Sequence, residues 1–377
     1  MAERIVLYGA TGYTGRLTAT ELVARGHTPV LAGRNTFAVR QLADELGGLP
    51  TATADAADPD SVRALVGRGD VLLSTVGPFH RFGAPAVEAA IAAGANYLDS
   101  TGEQAFIRRV FEDWDPSARA AGVTLLTAFG FDYVPGNLAA ALALEQAGPD
   151  ATSVIVGYFT RGRAGPLGRF AGSAPPVSRG TITSAAQAML EPGFSWKGGE
   201  LRTETVGHDL LRHRLADGRT RTSVSVSSTE HLSLPRVYPR LREVRVGLGA
   251  AGVATPAVWA LGRVGQEVLR IPGIRSRVRD LVIARLPGSG GGPSEEHNAT
   301  SGCLVTAHAY APDGTELSRV VLTGPSVYGF TAKILAWGAE QLACGVAKDV
   351  GAVGPVEAFG LDELERGCAS VGLHRAD

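Results

Sequence analysis

The feature that most constrains this chain is Gly9-Ala10-Thr11-Gly12-Tyr13-Thr14-Gly15, which separates an apolar run, Arg4 to Tyr8, from a helical pattern over residues 13 to 25. A strand entering a helix through a glycine turn is the opening βα unit of a doubly wound parallel sheet. Gly9 permits the turn, Gly12 lets a ligand approach the backbone, and Gly15 allows close helix-sheet packing. Backbone N–H groups there, backed by the positive end of a helix, suit a pyrophosphate. The spacing is GxxGxxG and not GxGxxG, a form at home in NADP-dependent reductases. A dinucleotide site is therefore expected at Gly9, Thr11, Gly12, Tyr13, Thr14 and Gly15.

Up to about residue 128, short β-branched or Leu-rich runs alternate with helical patterns. Strands are expected at 28–32, 51–54, 71–75, 97–99 and 123–127, with helices around 36–46, 59–66, 84–93 and 104–121. After residue 130 the rhythm changes. A helix over 136–147 and a strand over 153–160 precede a Gly/Pro/Arg-rich loop (161–179), a helix (181–190) and a half-exposed strand from Thr220. Residues 303–311 and 317–323 flank Pro312-Asp313-Gly314 as a hairpin, and 329–344 and 361–371 read as helices. The expected fold is α/β: an N-terminal Rossmann-type doubly wound parallel sheet plus a second α+β domain with a mixed or antiparallel sheet. The first domain is expected over 1–130, with 345–377 returning to it. The second, over 131–344, is expected to serve substrate and dimerisation, with a helical Arg-rich insertion near 238–290. That insertion reads either as a solvated helical hairpin or as an amphipathic cover that touches a hydrophobic substrate or lipid.

Cofactor choice is read at the end of the second strand, where NAD enzymes place a carboxylate about 20 residues past the glycines. No Asp or Glu lies between Glu21 and Asp44; Gly33-Arg34-Asn35 follows the strand instead. A guanidinium clamps a 2′-phosphate through paired charge-assisted hydrogen bonds, so NADPH/NADP is expected, with Arg34 and Asn35 at that phosphate. Asp55 is placed to meet the adenine amine, or else reads as a helix-capping or solvated aspartate. Val76, Gly77 and Pro78 end the fourth strand where nicotinamide usually lies, and His80 follows as a candidate proton donor or a packing histidine.

The 36 basic and 37 acidic residues give a net charge of -1, which excludes a general nucleic-acid partner. Three widely spaced cysteines suggest neither a disulfide framework nor a zinc site, so no metal is expected and a reducing cytoplasm fits. The start of the chain leaves no room for a signal peptide, and the uncharged run between Arg245 and Arg263 falls short of a membrane span. The short-chain dehydrogenase pattern is excluded, because the residues four before the three lysines are Gly193, Gly329 and Cys344.

The run Gly77 to Glu103, with the glycine turn and Gly33-Arg34, resembles the saccharopine dehydrogenase-like NADP-binding reductase family, and within it the trans-acting enoyl reductase branch. The similarity extends to Gly130-Phe131-Asp132-Tyr133-Val134-Pro135, Gly180-Thr181, Gly292-Pro293-Ser294 and Tyr328-Gly329-Phe330-Thr331. It implies an NADP-binding Rossmann domain, a second domain inserted before the C-terminal helix, and reduction of a C=N or polarised C=C bond. The family's C-terminal G-G-V-x-T-P pattern survives here only as Gly351-Ala352-Val353-Gly354-Pro355.

Hydride addition leaves charge on the acceptor. An iminium needs only a carboxylate beside it, whereas an enolate needs a proton donor. Asp132 and Tyr133, with His80, are the expected catalytic groups; Asp99 and Glu103 read equally as helix-capping carboxylates. The expected activity is NADPH-dependent reduction of a small or lipid-like specialised metabolite. The alternative is a non-catalytic NADP(H)-binding sensor or accessory protein. A homodimer and a peripheral membrane contact through 238–290 remain open.

Overall fold

A computed structural model describes residues 4–161, 191–205, 207–215, 218–249, 255, 259 and 291–376. The chain divides into two compact units. One comprises the described residues up to Val134 together with Gly291 and Tyr328–Val371; the other holds the remaining described residues from Pro135 to Val327 and the last few from Gly372.

The first unit is a seven-stranded, all-parallel sheet. Strands β1 (Ile5–Tyr8), β2 (Val30–Gly33), β3 (Thr51–Thr53), β4 (Val71–Ser74), β5 (Asn96–Asp99) and β6 (Thr124–Leu126) are joined by a two-residue strand, Gly351–Ala352, beside β6. From the Gly351–Ala352 edge the order is β6, β5, β4, β1, β2, β3, so the winding reverses between β1 and β4. β1 and β4 are buried along their whole length because helices cover both faces of the sheet, which explains their unbroken apolar sequences IVLY and VLLS. Their register sets Leu7 opposite Leu73 and Tyr8 opposite Ser74. The fold class expected from sequence is the one observed.

Two local differences have physical causes. The expected helix over 104–121 is interrupted by a π-helical segment, Val110–Trp114, next to Asp115-Pro116. Proline has no N–H for the α-helical ladder, and the wider turn lets Trp114 pack against Phe106 at 5.8 Å between ring centroids. The C-terminal return begins earlier than residue 345. Helix Val327–Ala343 already packs in the first unit, with Trp337 stacked on Phe129 at 6.3 Å, whereas His374–Arg375 pairs with the second sheet.

The second unit is a nine-stranded mixed sheet. It contains β7 (Ser153–Arg161), β8 (Pro192–Lys197), β9 (Glu200–Thr205), β10 (Leu210–Arg214), β11 (Thr220–Ser225), β12 (Glu243–Leu248), β13 (Gly302–Tyr310) and β14 (Glu316–Gly324). β12 runs parallel to β7; the other pairings are antiparallel. The β13/β14 hairpin falls where Pro312-Asp313-Gly314 put it. The helical reading of 238–290 is corrected at its start: Glu243–Leu248 is an interior strand, with Val244 and Val246 buried. The loop over 161–179 and the helix over 181–190 lie outside the described residues, apart from Arg161 at the end of β7, as does most of the remaining Arg-rich segment. The β10–β11 hairpin folds over the face of β7, β13 and β14. The His213 ring lies 5.4 Å from Phe159 and 5.9 Å from His308, and Arg319 Nη1 donates to Arg214 O at 3.0 Å.

Candidate functional site

The expected site residues of the first unit collect at the C-terminal tips of its parallel strands, where the winding reverses. Gly9 has φ of +90°, and an added Cβ would lie 2.7 Å from Thr75 Oγ1 and 2.9 Å from Val76 Cγ2. The turns after β1 and β4 are thus locked together, with Thr75 Oγ1 donating to Gly9 O at 3.1 Å. Gly15 is excluded from carrying a side chain more severely, since a Cβ there would sit 2.2 Å from Gly9 O. Helix Tyr13–Ala24 begins at Gly12 without a side-chain cap and without an acidic residue in its first turn. That combination leaves a positive helix end open to an anion. Thr11 and Gly12 are exposed, and Tyr13 and Thr14 are half-buried.

Arg34 leaves the tip of β2 as an exposed guanidinium that forms no ion pair among the described residues. Asn35 caps the next helix, its Oδ1 accepting from Ala38 N at 3.1 Å, so part of its hydrogen-bonding capacity is already used locally. Asp55 behaves likewise, with Oδ1 accepting from Ala57 N at 3.0 Å. Tyr8, expected as the last residue of the first strand, ends β1 and is electrostatically coupled to Asp55 and Arg34. Burial first, and then the Asp55 carboxylate, push its hydroxyl up to about 12, while Arg34 pulls it down. The end of β1 thus senses the charges at the tips of β2 and β3.

Val76, Gly77 and Pro78 form the turn after β4, with a cis Gly77–Pro78 peptide bond. Beyond it, the short helix Phe79–Phe82 is held by Glu103, which is 3% exposed. Glu103 Oε1 accepts from Phe79 N at 2.8 Å, and Oε2 accepts from His80 N at 2.8 Å and meets His80 Nδ1 at 2.9 Å. Bonds to an ionised acceptor contribute roughly 1.5–3 kcal/mol each. The carboxylate left open between capping and chemistry is thus a cap that also grips an imidazole.

Asp99 proves to be a structural pin. It is fully buried; Oδ1 accepts from Thr101 N and Ala128 N, and Oδ2 accepts from Thr127 Oγ1, each at 2.9 Å. Burial outweighs these bonds and raises its carboxyl to about 6. The bonds tie the end of β5 to the loop after β6, which carries Asp132 and Tyr133. Asp132 is half-buried and accepts no hydrogen bond among the described residues, and desolvation raises it to about 6. Its Oδ2 lies 3.1 Å from where Gly102 would carry a Cβ, so the glycine next to Glu103 makes room for it. Tyr133 is buried, its N–H donating to Ala128 O at 2.7 Å.

The stretch at Tyr328 completes this cluster. Tyr328 meets Tyr13 edge to face at 5.1 Å, and Thr331 Oγ1 accepts from Phe131 N at 3.0 Å. A Cβ on Gly130 would lie 2.9 Å from Thr331 Cγ2. The glycine of the Gly130-Phe131-Asp132 motif is required by a residue 201 positions away. Among the described residues no group of side chains is placed to hold a metal ion, and no helix is long and apolar enough to cross a membrane.

A glycine cradle at the winding reversal, an open helix end and a guanidinium at the tip of β2 that is unpaired among the described residues define a dinucleotide-binding domain of the kind that uses NADP. Residues 5–126 match the saccharopine dehydrogenase NADP binding domain. Over 402 aligned residues the chain is 29% identical to a Mycobacterium tuberculosis (strain ATCC 25618 / H37Rv) protein described as a candidate trans-acting enoyl reductase, covering 96% of this chain and 94% of that one. A Mycobacterium leprae trans-acting enoyl reductase is 41% identical over 140 residues, 36% of this chain and 34% of its own length. Apo saccharopine dehydrogenase (L-Glu forming) from Saccharomyces cerevisiae shares the fold, with a TM-score of 0.60 over 99% of both chains at 13% identity. Residues 5–126 are therefore similar to the saccharopine dehydrogenase NADP binding domain, as the resemblance in the sequence implied. The chain is an NADP(H)-dependent oxidoreductase.

Proposed function

We propose that this protein uses NADPH to reduce the polarised C=C bond of an enoyl thioester, on a small or lipid-like specialised metabolite. The observation that carries the reading is the glycine cradle with Arg34 beyond β2, exposed and without an ion-pair partner among the described residues. The names of the relatives favour the enoyl substrate. In this assignment Gly9, Thr11, Gly12, Tyr13, Thr14 and Gly15 hold the pyrophosphate, Arg34 and Asn35 the 2′-phosphate, Asp55 the adenine side, and Val76, Gly77 and Pro78 the nicotinamide ribose. The fit is steric: a Cβ at Gly9 or Gly15 would close the cradle.

When bound, NADPH supplies a hydride. The chain's own residues then have three tasks. The open first turn of helix Tyr13–Ala24 and Arg34 hold anionic groups by charge-assisted hydrogen bonds. The apolar packing of Phe79 and Phe106, at 5.5 Å, keeps water from the inner wall of the turn. Asp132, Tyr133 and His80 are the groups assigned to the reacting end, where the acceptor's electron pair must be met by a proton. One observation favours a second reading: Asp132, ionisable and without a hydrogen-bond partner among the described residues, would stabilise an iminium, which makes a cyclic imine the competing substrate.

Purified protein with NADPH is mixed with panels of enoyl thioesters and cyclic imines, and nicotinamide absorbance is followed. Oxidation with the thioesters is expected. Oxidation only with imines would replace the substrate assignment, and tight binding without turnover in either panel would replace the enzyme by a sensor. A cytoplasmic location, a homodimer built on the second unit and a lipid contact through 238–290 are carried as part of the same proposal.

A further inference from the structure

We propose that His80 is the proton donor of this reductase and that Glu103 is its positioning residue, holding Nδ1 so that Nε2 faces the substrate; this rests on the enoyl reading above. A cap for helix Phe79–Phe82 needs only the two backbone N–H groups that Glu103 already accepts. The third contact, Oε2 to His80 Nδ1 at 2.9 Å, does nothing for the helix and fixes the plane of the ring. A buried carboxylate on Nδ1 forces the neutral ring into the Nδ1–H tautomer and favours the imidazolium, whose remaining N–H is on Nε2. The His80 side chain is 29% exposed while Glu103 is 3% exposed, so water reaches the ring but not its anchor. The donor can thus be recharged from solvent.

Asp132 is the rival donor, and its geometry is poorer for the task. No hydrogen bond among the described residues orients its carboxyl, and no group there re-supplies a proton. It sits against Gly102, the residue before Glu103, and so lies on the same wall as the pair.

Hydride adds to the β-carbon of the enoyl thioester, the C=C pair moves onto the α-carbon and thioester oxygen, and His80 gives its Nε2 proton to the α-carbon. The substrate gains two electrons, NADPH loses two, and His80 is left neutral with Nδ1–H on Glu103 until water restores the proton.

Two measurements on the full chain test this. Nitrogen-15 NMR of histidine-labelled protein, without substrate, reads the tautomer of His80. The wild type is expected to be Nδ1–H, and Glu103→Gln, which can present an amide N–H to the ring, is expected to lose that preference; the same tautomer in both overturns the positioning role. Kinetics with crotonyl-CoA and NADPH then read the proton. His80→Gln and Glu103→Gln are expected to lower kcat by roughly 100-fold or more, with NADPH affinity within about threefold of wild type. They should also show a larger solvent deuterium effect and a smaller effect from 4-deuterated NADPH, because proton transfer has become limiting. Loss of activity with unchanged isotope effects, or the isotope signature in Asp132→Asn instead, overturns the proposal. If wild type binds NADPH but oxidises it with imines only, the enoyl reading fails and the donor role with it, while the tautomer still decides what Glu103 does to His80.

Discussion

Acidification from pH 7 to pH 5 should weaken the second unit, and His213 should account for about 2 kcal/mol of the loss. The ring is fully buried between Phe159 and His308, with Nε2 at 2.7 Å from Ser223 Oγ and Nδ1 without a hydrogen-bond partner. Gly157 is a glycine because a Cβ there would lie 2.6 Å from this imidazole. Burial, and secondarily His308, lower the His213 pKa to about 3. The unfolded chain titrates near 6.5, so below that pH it binds a proton that the folded state refuses, and stability falls by about 1.4 kcal/mol per pH unit until about pH 3. At pH 5 this linkage amounts to about 2 kcal/mol. Urea unfolding at both pH values, followed through Trp196 in the same unit with the other tryptophans replaced, compares wild type with His213→Gln. Glutamine removes the titration and keeps a polar group near Ser223. The variant, although weaker at pH 7, is expected to lose about 2 kcal/mol less on acidification. Equal losses would refute the argument that this ring is held neutral by burial.

Three further outcomes follow from the geometry of the first unit. Gly15→Ala would put a Cβ 2.2 Å from Gly9 O, a backbone atom that cannot swing aside, and calorimetry should show NADPH affinity falling more than tenfold; unchanged affinity would mean that the cradle is not the site. Gly130→Ala should cost roughly 1–3 kcal/mol through overpacking against Thr331 Cγ2. Thr331→Ser in the same chain should restore most of it by removing that methyl while keeping the hydroxyl, and an unchanged penalty in thermal melts would contradict the contact. Asp99→Asn should help stability more at pH 8 than at pH 5, by about 1.4 kcal/mol. Its carboxyl is raised to about 6, so its contribution is full below the ordinary carboxylate range and lost as pH rises through 6; a pH-independent effect would refute this.

The parallel strands were legible because β1 and β4 are buried on both faces and so carry unbroken apolar runs. The strand Gly351–Ala352 is too short for any periodicity to show, and its register rests on long-range bonds from Gly351 N to Val123 O and from Val353 N to Leu125 O. In the second unit, β8 and β9 were missed in the sequence, although Gly198-Gly199 between Lys197 and Glu200 is a local signal for their hairpin. Both glycines take positive φ, at 70° and 86°, as a two-residue hairpin turn requires. β12 was hidden by the glycines, alanines and arginines that follow it. At the site, the glycine turn, Arg34, His80 and Asp132 could be picked out because motif spacing is local. The grip of Glu103 on His80 joins residues 23 apart in sequence, and it becomes visible only once β4 and β5 are known to be neighbours. The distinction between Asp99 as a pin and Asp132 as an acid with no hydrogen-bond partner among the described residues rests on hydrogen bonds that no pattern of residue types specifies.

Arg34 and the extra phosphate of NADPH decide the choice of cofactor. Two charge-assisted hydrogen bonds at roughly 1.5–3 kcal/mol each make the cofactor discrimination large, and calorimetric titration of wild type and Arg34→Asp with NADPH and NADH measures it directly. The expected result is a loss of about a hundredfold or more for NADPH, with NADH changed by no more than about threefold. Equal losses for the two cofactors, or undiminished NADPH binding by the variant, would contradict it.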